Sequence, residues 1–130
     1  MWIISRDTLP AVRIDGRVAA RIFDGDKHGG VPSSAFVVEV GPGQGPPRHT
    51  HPYDEVFVVV AGAVRVTAGS ESAVLTEHEI AVVPAGVVHG FTALGPDQAR
   101  LVNIHAASTV VTEFVANDDA ATGYEYGHAD

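Results

Sequence analysis

Residues 43–62 read GQGPPRHTHPYDEVFVVVAG, a glycine- and proline-rich turn followed by two histidines, a glutamate and a strongly apolar run. Imidazole and carboxylate groups beside such a run lose hydration unless something compensates them, and a bound cation is one such compensator. In an extended segment, residues two apart share a face, so His49 and His51 present both rings to one side, the local geometry a divalent metal requires. Glu55 has the same parity. Pro52 has no N–H to give to a ladder and is expected to bend or break the chain, placing Glu55 on the next strand with its side chain still inward.

The chain around this stretch has the pattern of short strands and turns. Runs rich in valine, isoleucine and phenylalanine, broken by Gly, Pro, Asp and Ser, predict strands over 18–23, 34–40, 55–60, 63–67, 72–76, 80–83, 89–93, 100–105 and 110–115. Phe36, Val38 and Val40 alternate with Glu39, and Val64 and Val66 alternate with Arg65 and Thr67, so one face of each strand is buried. No stretch has a helical period. Many short strands without intervening helices predict an all-β antiparallel sandwich or barrel and argue against a doubly wound sheet.

Composition narrows the function. The 130 residues suit one domain, and 45% hydrophobic residues against 18% charged ones are enough for a core. Eight basic residues face sixteen acidic ones, a net charge of −8, so no basic stripe tracks phosphates and nucleic acid is not an expected partner. Without cysteine, disulfides, thiolate metal sites and a cysteine nucleophile are excluded. The start, MWIISRDTLP, lacks a basic region followed by a long apolar stretch, and no run approaches a membrane span, so a soluble cytoplasmic protein is expected. The loop at 41–47, GPGQGPP, lacks the spacing of a phosphate-binding turn and reads as a rigid turn. Ser70–Ser72 has no nearby His and Asp partners for a nucleophile elbow.

A second chemically charged stretch is PAGVVHGF, in which Pro84 and Gly86 form a turn and His89 opens a strand. Together the two stretches resemble the cupin family. Its first motif is a glycine, five residues, His-x-His, three or four residues, a glutamate, six residues and a glycine, matched here by Gly43, His49, His51, Glu55 and Gly62. Its second runs from a glycine through Pro-x-Gly and a histidine to an asparagine. Pro84, Gly86 and His89 match, whereas His78 stands in the glycine's place and Ala93 in the asparagine's. A glycine often takes positive φ there, and histidine accepts it less readily.

The resemblance implies an all-β, single-domain cupin jelly-roll β-barrel over 1–115, with an acidic C-terminal tail over 116–130. It implies that His49, His51, Glu55 and His89 bind one divalent transition metal per chain, and three imidazoles with a carboxylate suit Fe, Mn, Ni, Cu, Co or Zn better than Mg or Ca. The expected activity is that of a metal-dependent enzyme on a small, partly apolar molecule. The first reading is a quercetinase-like dioxygenase of a phenolic or enolic substrate; the alternatives are a non-oxidative cyclase or isomerase, or a non-catalytic small-ligand-binding cupin. Glu55 is also a candidate base. By strand parity, Phe36, Val38, Phe57, Val59 and Phe91 are expected to line the substrate pocket. His105, which shares a face with Asn103 and Leu101, is expected at a surface or edge, Tyr53 in an exposed turn, and His28 and His128 in solvent. Tyr124 and Tyr126 are expected to anchor the tail on a partner surface. Small cupins are often homodimers, and exchange of the VAARIF strand is the expected route.

Overall fold

The computed structural model describes residues 1–115 and 123–126. Twelve strands follow in chain order: β1 Ala11–Ile14, β2 Arg17–Asp24, β3 Ser34–Val40, β4 His49–Thr50, β5 Glu55–Ala61, β6 Ala63–Ala68, β7 Glu71–Thr76, β8 Ile80–Val83, β9 His89–Ala93, β10 Ala99–His105, β11 Glu113–Phe114 and β12 Tyr124–Glu125. They form a seven-stranded sheet, β12-β1-β2-β3-β10-β5-β8, and a five-stranded sheet, β11-β4-β9-β6-β7. Among the described residues all ladders are antiparallel. This is a jelly-roll barrel in which two sheets bury their inner faces against each other.

Period-two alternation fixes which residues reach the interior. Along β10, Ala99, Leu101, Asn103 and His105 are buried while Arg100 and Ile104 are exposed. Glu55, Phe57 and Val59 point inward from β5, and Phe57 meets Phe91 of β9 edge-on at 5.5 Å between ring centroids. Phe57, Val64, Ala99 and Leu101 are at most 1% exposed and close the interior beneath the histidines.

Gly62 turns β5 into β6 at φ +79°, and a Cβ there would sit 2.7 Å from the Gln98 carbonyl oxygen, so this turn needs glycine on two counts. The turn at His78 has no such demand. Asp15 is the one non-glycine residue at positive φ among the described residues, and His78 sits in solvent with 86% of its side chain exposed.

The strands differ from the sequence expectations where pairing is long-range. β1, β4 and β12 have no apolar run of their own and exist because a neighbouring strand fills their hydrogen bonds: Arg13 pairs with Glu125, and His49 with His89. The strand expected over 110–115 contracts to Glu113–Phe114, against β4. His28, expected in solvent, is half-buried, because its ring stacks on Phe23 at 4.8 Å and its Nδ1 meets the Asp24 carbonyl at 2.9 Å. His128 and most of the tail lie outside the described residues. Within the tail, Tyr124 and Tyr126 pack against the barrel, and β12 covers the edge of β1.

Candidate metal centre

Two cross-strand pairs, one on each sheet, bring the polar groups together. His49 of β4 lies opposite His89 of β9 in the five-stranded sheet. Glu55 of β5 lies opposite His105 of β10 in the seven-stranded sheet. His51, just beyond β4, completes the group. The ligand atoms of His49, His51, Glu55 and His89 all lie within 4.8 Å of one another, and all four residues are buried. The turn carrying His89 is tied to the loop carrying His51: the Gly86 amide donates to the His51 carbonyl at 2.9 Å, and the Ala85 amide to the Asp54 carboxylate at 2.9 Å. The two sequence motifs thus meet through one backbone and one side-chain hydrogen bond.

Proton positions at the three imidazoles follow from their partners. Nδ1 of His49 lies 2.7 Å from the Pro47 carbonyl, that of His51 2.8 Å from the Val111 carbonyl, and that of His89 2.8 Å from the Val87 carbonyl. A carbonyl only accepts, so each Nδ1 donates, and each neutral ring turns an Nε2 lone pair inward. Two of those lone pairs face the carboxylate: Glu55 Oε1 is 2.9 Å from Nε2 of His89 and 3.1 Å from Nε2 of His51. Nε2 of His51 is buried without a hydrogen-bond partner. Acceptors packed this closely in a dry interior repel unless a cation lies among them. The donor set fits a divalent transition metal: imidazole nitrogens whose other nitrogen is fixed by a carbonyl, plus one carboxylate oxygen.

The electrostatics follow the same geometry. Burial, with the neighbouring His89, pushes the His49 imidazole down to about 4, so it stays neutral. Burial alone would raise Glu55, but the neighbouring imidazoles of His105, His51 and His89 outweigh it and hold the carboxyl well below the usual range. Burial would lower His89, but its hydrogen bond to Glu55 outweighs this and raises it. A carboxylate held this acidic is ionised near neutrality and available as a ligand.

His105, expected at a surface or edge, and Tyr53, expected in an exposed turn, instead join the cluster. His105 is 2% exposed, on a strand flanked by β3 and β5, with Nε2 3.2 Å from Glu55 Oε2. Its Nδ1 lies 2.7 Å from the Tyr53 hydroxyl, whose oxygen accepts the Val111 amide at 3.1 Å. Glu55 only accepts, so His105 donates from Nε2 and accepts the Tyr53 proton at Nδ1, the opposite tautomer to the three ligand histidines. Tyr53 is half-buried, stacked on His51 at 5.1 Å with the rings 7° from parallel. The signal was available in the shared parity of Leu101, Asn103 and His105.

A cavity of about 40 Å³ opens beside the cluster. Its walls include His49, His51, Glu55, Asn103 and His105, with Val12, Ala20, Phe36, Val38 and Phe91 on the apolar side and Phe114, Tyr124 and Tyr126 across it. Of the five residues expected to line a substrate pocket, Phe36, Val38 and Phe91 stand at this cavity. Phe57 and Val59 do not: although they share the Glu55 face, they lie farther along β5 and pack into the core at 0% and 3% exposure.

Comparison with known proteins agrees with this architecture. A solved oxalate oxidase bound to the substrate analogue glycolate superposes with a TM-score of 0.70 at 21% identity, over 87% of this chain and 63% of that one. The Bacillus subtilis oxalate decarboxylase studied for its Mn(II) centres gives a TM-score of 0.68 at 16% identity, over 76% of this chain and 29% of its own. An uncharacterised Streptomyces coelicolor protein is 38% identical over 52 residues, 40% of this chain and 50% of that protein. The matched stretch therefore spans about half of that relative, and this chain covers less than two thirds of either enzyme. The family model for the cupin domain matches residues 36–105, which include both histidine motifs and His105. By that match, together with the two-sheet barrel built around His49, His51, Glu55 and His89, the chain belongs to the cupin family.

Proposed function

We propose that this protein is a metal-dependent enzyme of small molecules, and that its reaction is a quercetinase-like dioxygenation of a small, partly apolar phenolic or enolic substrate. One observation carries the reading: three imidazoles have their Nδ1 atoms locked by carbonyl partners, Nε2 of His51 and of His89 turns onto one Glu55 oxygen, and the His49 ligand atom lies within 4.8 Å of them. His49, His51 and His89 would hold the ion through Nε2, and Glu55 through Oε1. A transition metal bound there supplies Lewis acidity and, if redox-active, couples substrate to dioxygen.

The chain's own contribution is orientation and exclusion of water. His105 keeps Oε2 of Glu55 engaged, which favours binding of the ion by one carboxylate oxygen and leaves room for a substrate oxygen. Phe36, Val38 and Phe91 supply a dry wall against the apolar body of that substrate. The size of the cavity favours a molecule smaller than a flavonoid.

The test is oxygen uptake by metal-reconstituted protein offered simple phenols and enols. Consumption of dioxygen with loss of the substrate, abolished in His49→Ala, is the expected result. Turnover of the same substrates under strict anaerobiosis would replace the oxidative reading with a cyclase or isomerase reaction.

We propose also that the protein is a homodimer through the outer face of the seven-stranded sheet. There Val56 pairs with Val82, Val58 with Ile80, Val102 with Val58 and Ile104 with Val56, an apolar patch on which Ile80 is 65% and Val82 63% exposed. An apolar face of this width favours a partner, and the flanking Arg100 and Glu39, one of each sign, suit a two-fold contact with a second copy. The VAARIF strand lies between β1 and β3 of its own chain, so such a dimer needs no strand exchange.

A further inference from the structure

Asn103 lies on the inner face of β10, opposite Phe36 of β3 and Phe57 of β5. It is 3% exposed, and its Oδ1 is buried without a partner. An amide is a poor choice for a central strand on intrinsic preference, and a worse one when its hydrogen bonds are left unmade. Structural asparagines of the interior are satisfied by backbone or neighbouring side chains. Asn103 instead lines the cavity, two residues from His105 on the same face of the strand and beside apolar Phe36 and Val38. The neighbouring polar groups of that wall are already engaged: His105 with Glu55 and Tyr53, and Thr112 with the Tyr126 hydroxyl at 3.3 Å.

We propose that Asn103 is a ligand-recognition residue, whose side-chain amide takes a hydroxyl of a small, otherwise apolar molecule held at its other end by the histidine–glutamate cluster. The inference rests on the metal-site reading above and adds the substrate's chemical class: an aromatic-sized or smaller body with one oxygen for the metal and one hydroxyl set apart from it. A buried polar group that meets its partner only in the complex discriminates against ligands lacking that partner, because the analogue leaves the amide unpaired. It also weakens the ligand-free protein, a common feature of functional sites.

The experiment compares the metal-reconstituted protein with its Asn103→Leu variant, which keeps the side chain's branching and removes its polarity, and with Asn103→Ala. Benzoate and the three hydroxybenzoates are the probes, titrated calorimetrically, and thermal unfolding is recorded without them. At least one hydroxybenzoate is expected to bind the natural protein about 10- to 100-fold more tightly than benzoate, with the preference lost in Asn103→Leu. Without ligand, Asn103→Leu is expected to melt a few degrees higher than the natural protein. The proposal is overturned if no hydroxybenzoate is preferred to benzoate, if the preference survives in the variant, or if both variants melt lower, as for a structural asparagine. Metal content measured alongside separates the two readings. Protein that takes up no metal contradicts the metal site, while the unfolding comparison still judges Asn103; metal-loaded protein blind to the hydroxyl contradicts the role of Asn103 alone.

Discussion

The Tyr53 hydroxyl lies 2.7 Å from Nδ1 of His105, and through that ring it is connected to the outer oxygen of Glu55. The polarity of this chain is fixed at both ends, by the Val111 amide that donates to Tyr53 and by the carboxylate that can only accept. Tyr53 and His105 are therefore positioning residues for the carboxylate. Tyr53→Phe leaves the His105 nitrogen and the Val111 amide unpaired, and metal affinity is expected to fall about 10- to 100-fold. Competition titration against a chelator measures this. His105→Gln, which retains a donor toward Glu55, is expected to recover more affinity than His105→Leu, a difference that loss of packing alone would not produce.

Acid acts on the metal-free protein through His49. Its pKa is about 4 in the folded state against 6.5 for the free side chain, so between these values the unfolded chain binds more protons and stability rises with pH. The His49 contribution is complete above 6.5 and is lost as pH falls toward 4, roughly 3 kcal/mol in all. His89, raised by Glu55, acts in the opposite sense: its contribution is present below 6.5 and fades as pH rises above it. Urea unfolding of the metal-free protein at pH 7 and pH 4.5 checks the balance, which is expected to favour pH 7. Metal raises stability at pH 7 and is released on acidification, because protons compete for Nε2.

Phe57, fully buried against Phe91, belongs to the core. Phe57→Ala is expected to cost about 3–5 kcal/mol, seen in denaturant unfolding. Phe36→Ala opens the cavity wall and is expected to change the binding of small aromatic acids more than Phe57→Leu does.

Charge placed on the outer sheet face reports on assembly. Val82→Glu lies where Val82 is 63% exposed, so it costs the monomer little. It is expected to halve the mass seen by sedimentation equilibrium. A natural protein already monomeric at micromolar concentration would contradict the proposed dimer.

The sequence was most legible where local spacing and strand parity coincide. His49 and His51 share a face because they are two apart, and Glu55 opens an apolar run whose alternation sends it inward. His89 required the fold, because its meeting with His49 is a pairing of β4 and β9 across 40 residues of chain. His105 shows the limit of parity: its alternation with Leu101 and Asn103 was readable, but the placement of β10 between β3 and β5 is a non-local fact. That placement turned an expected edge histidine into a buried one. Phe57 and Val59 lie in the core and away from the cavity for a related reason, since parity assigns a face of the strand but not a depth along the barrel. Tyr124 and Tyr126 sit in a stretch whose composition resembles a tail, and only the pairing of β12 with β1 brings them to the cavity.

The central claim is that four buried side chains hold one transition metal. Elemental analysis of the protein as isolated, beside a His49→Ala, Glu55→Ala double variant shown by circular dichroism to be folded, tests it most directly. One equivalent of Fe, Mn, Ni, Cu, Co or Zn per chain, absent from the variant, is the predicted result. A natural protein that takes up no such metal even after reconstitution at neutral pH, or a folded variant that retains it in full, would contradict the claim.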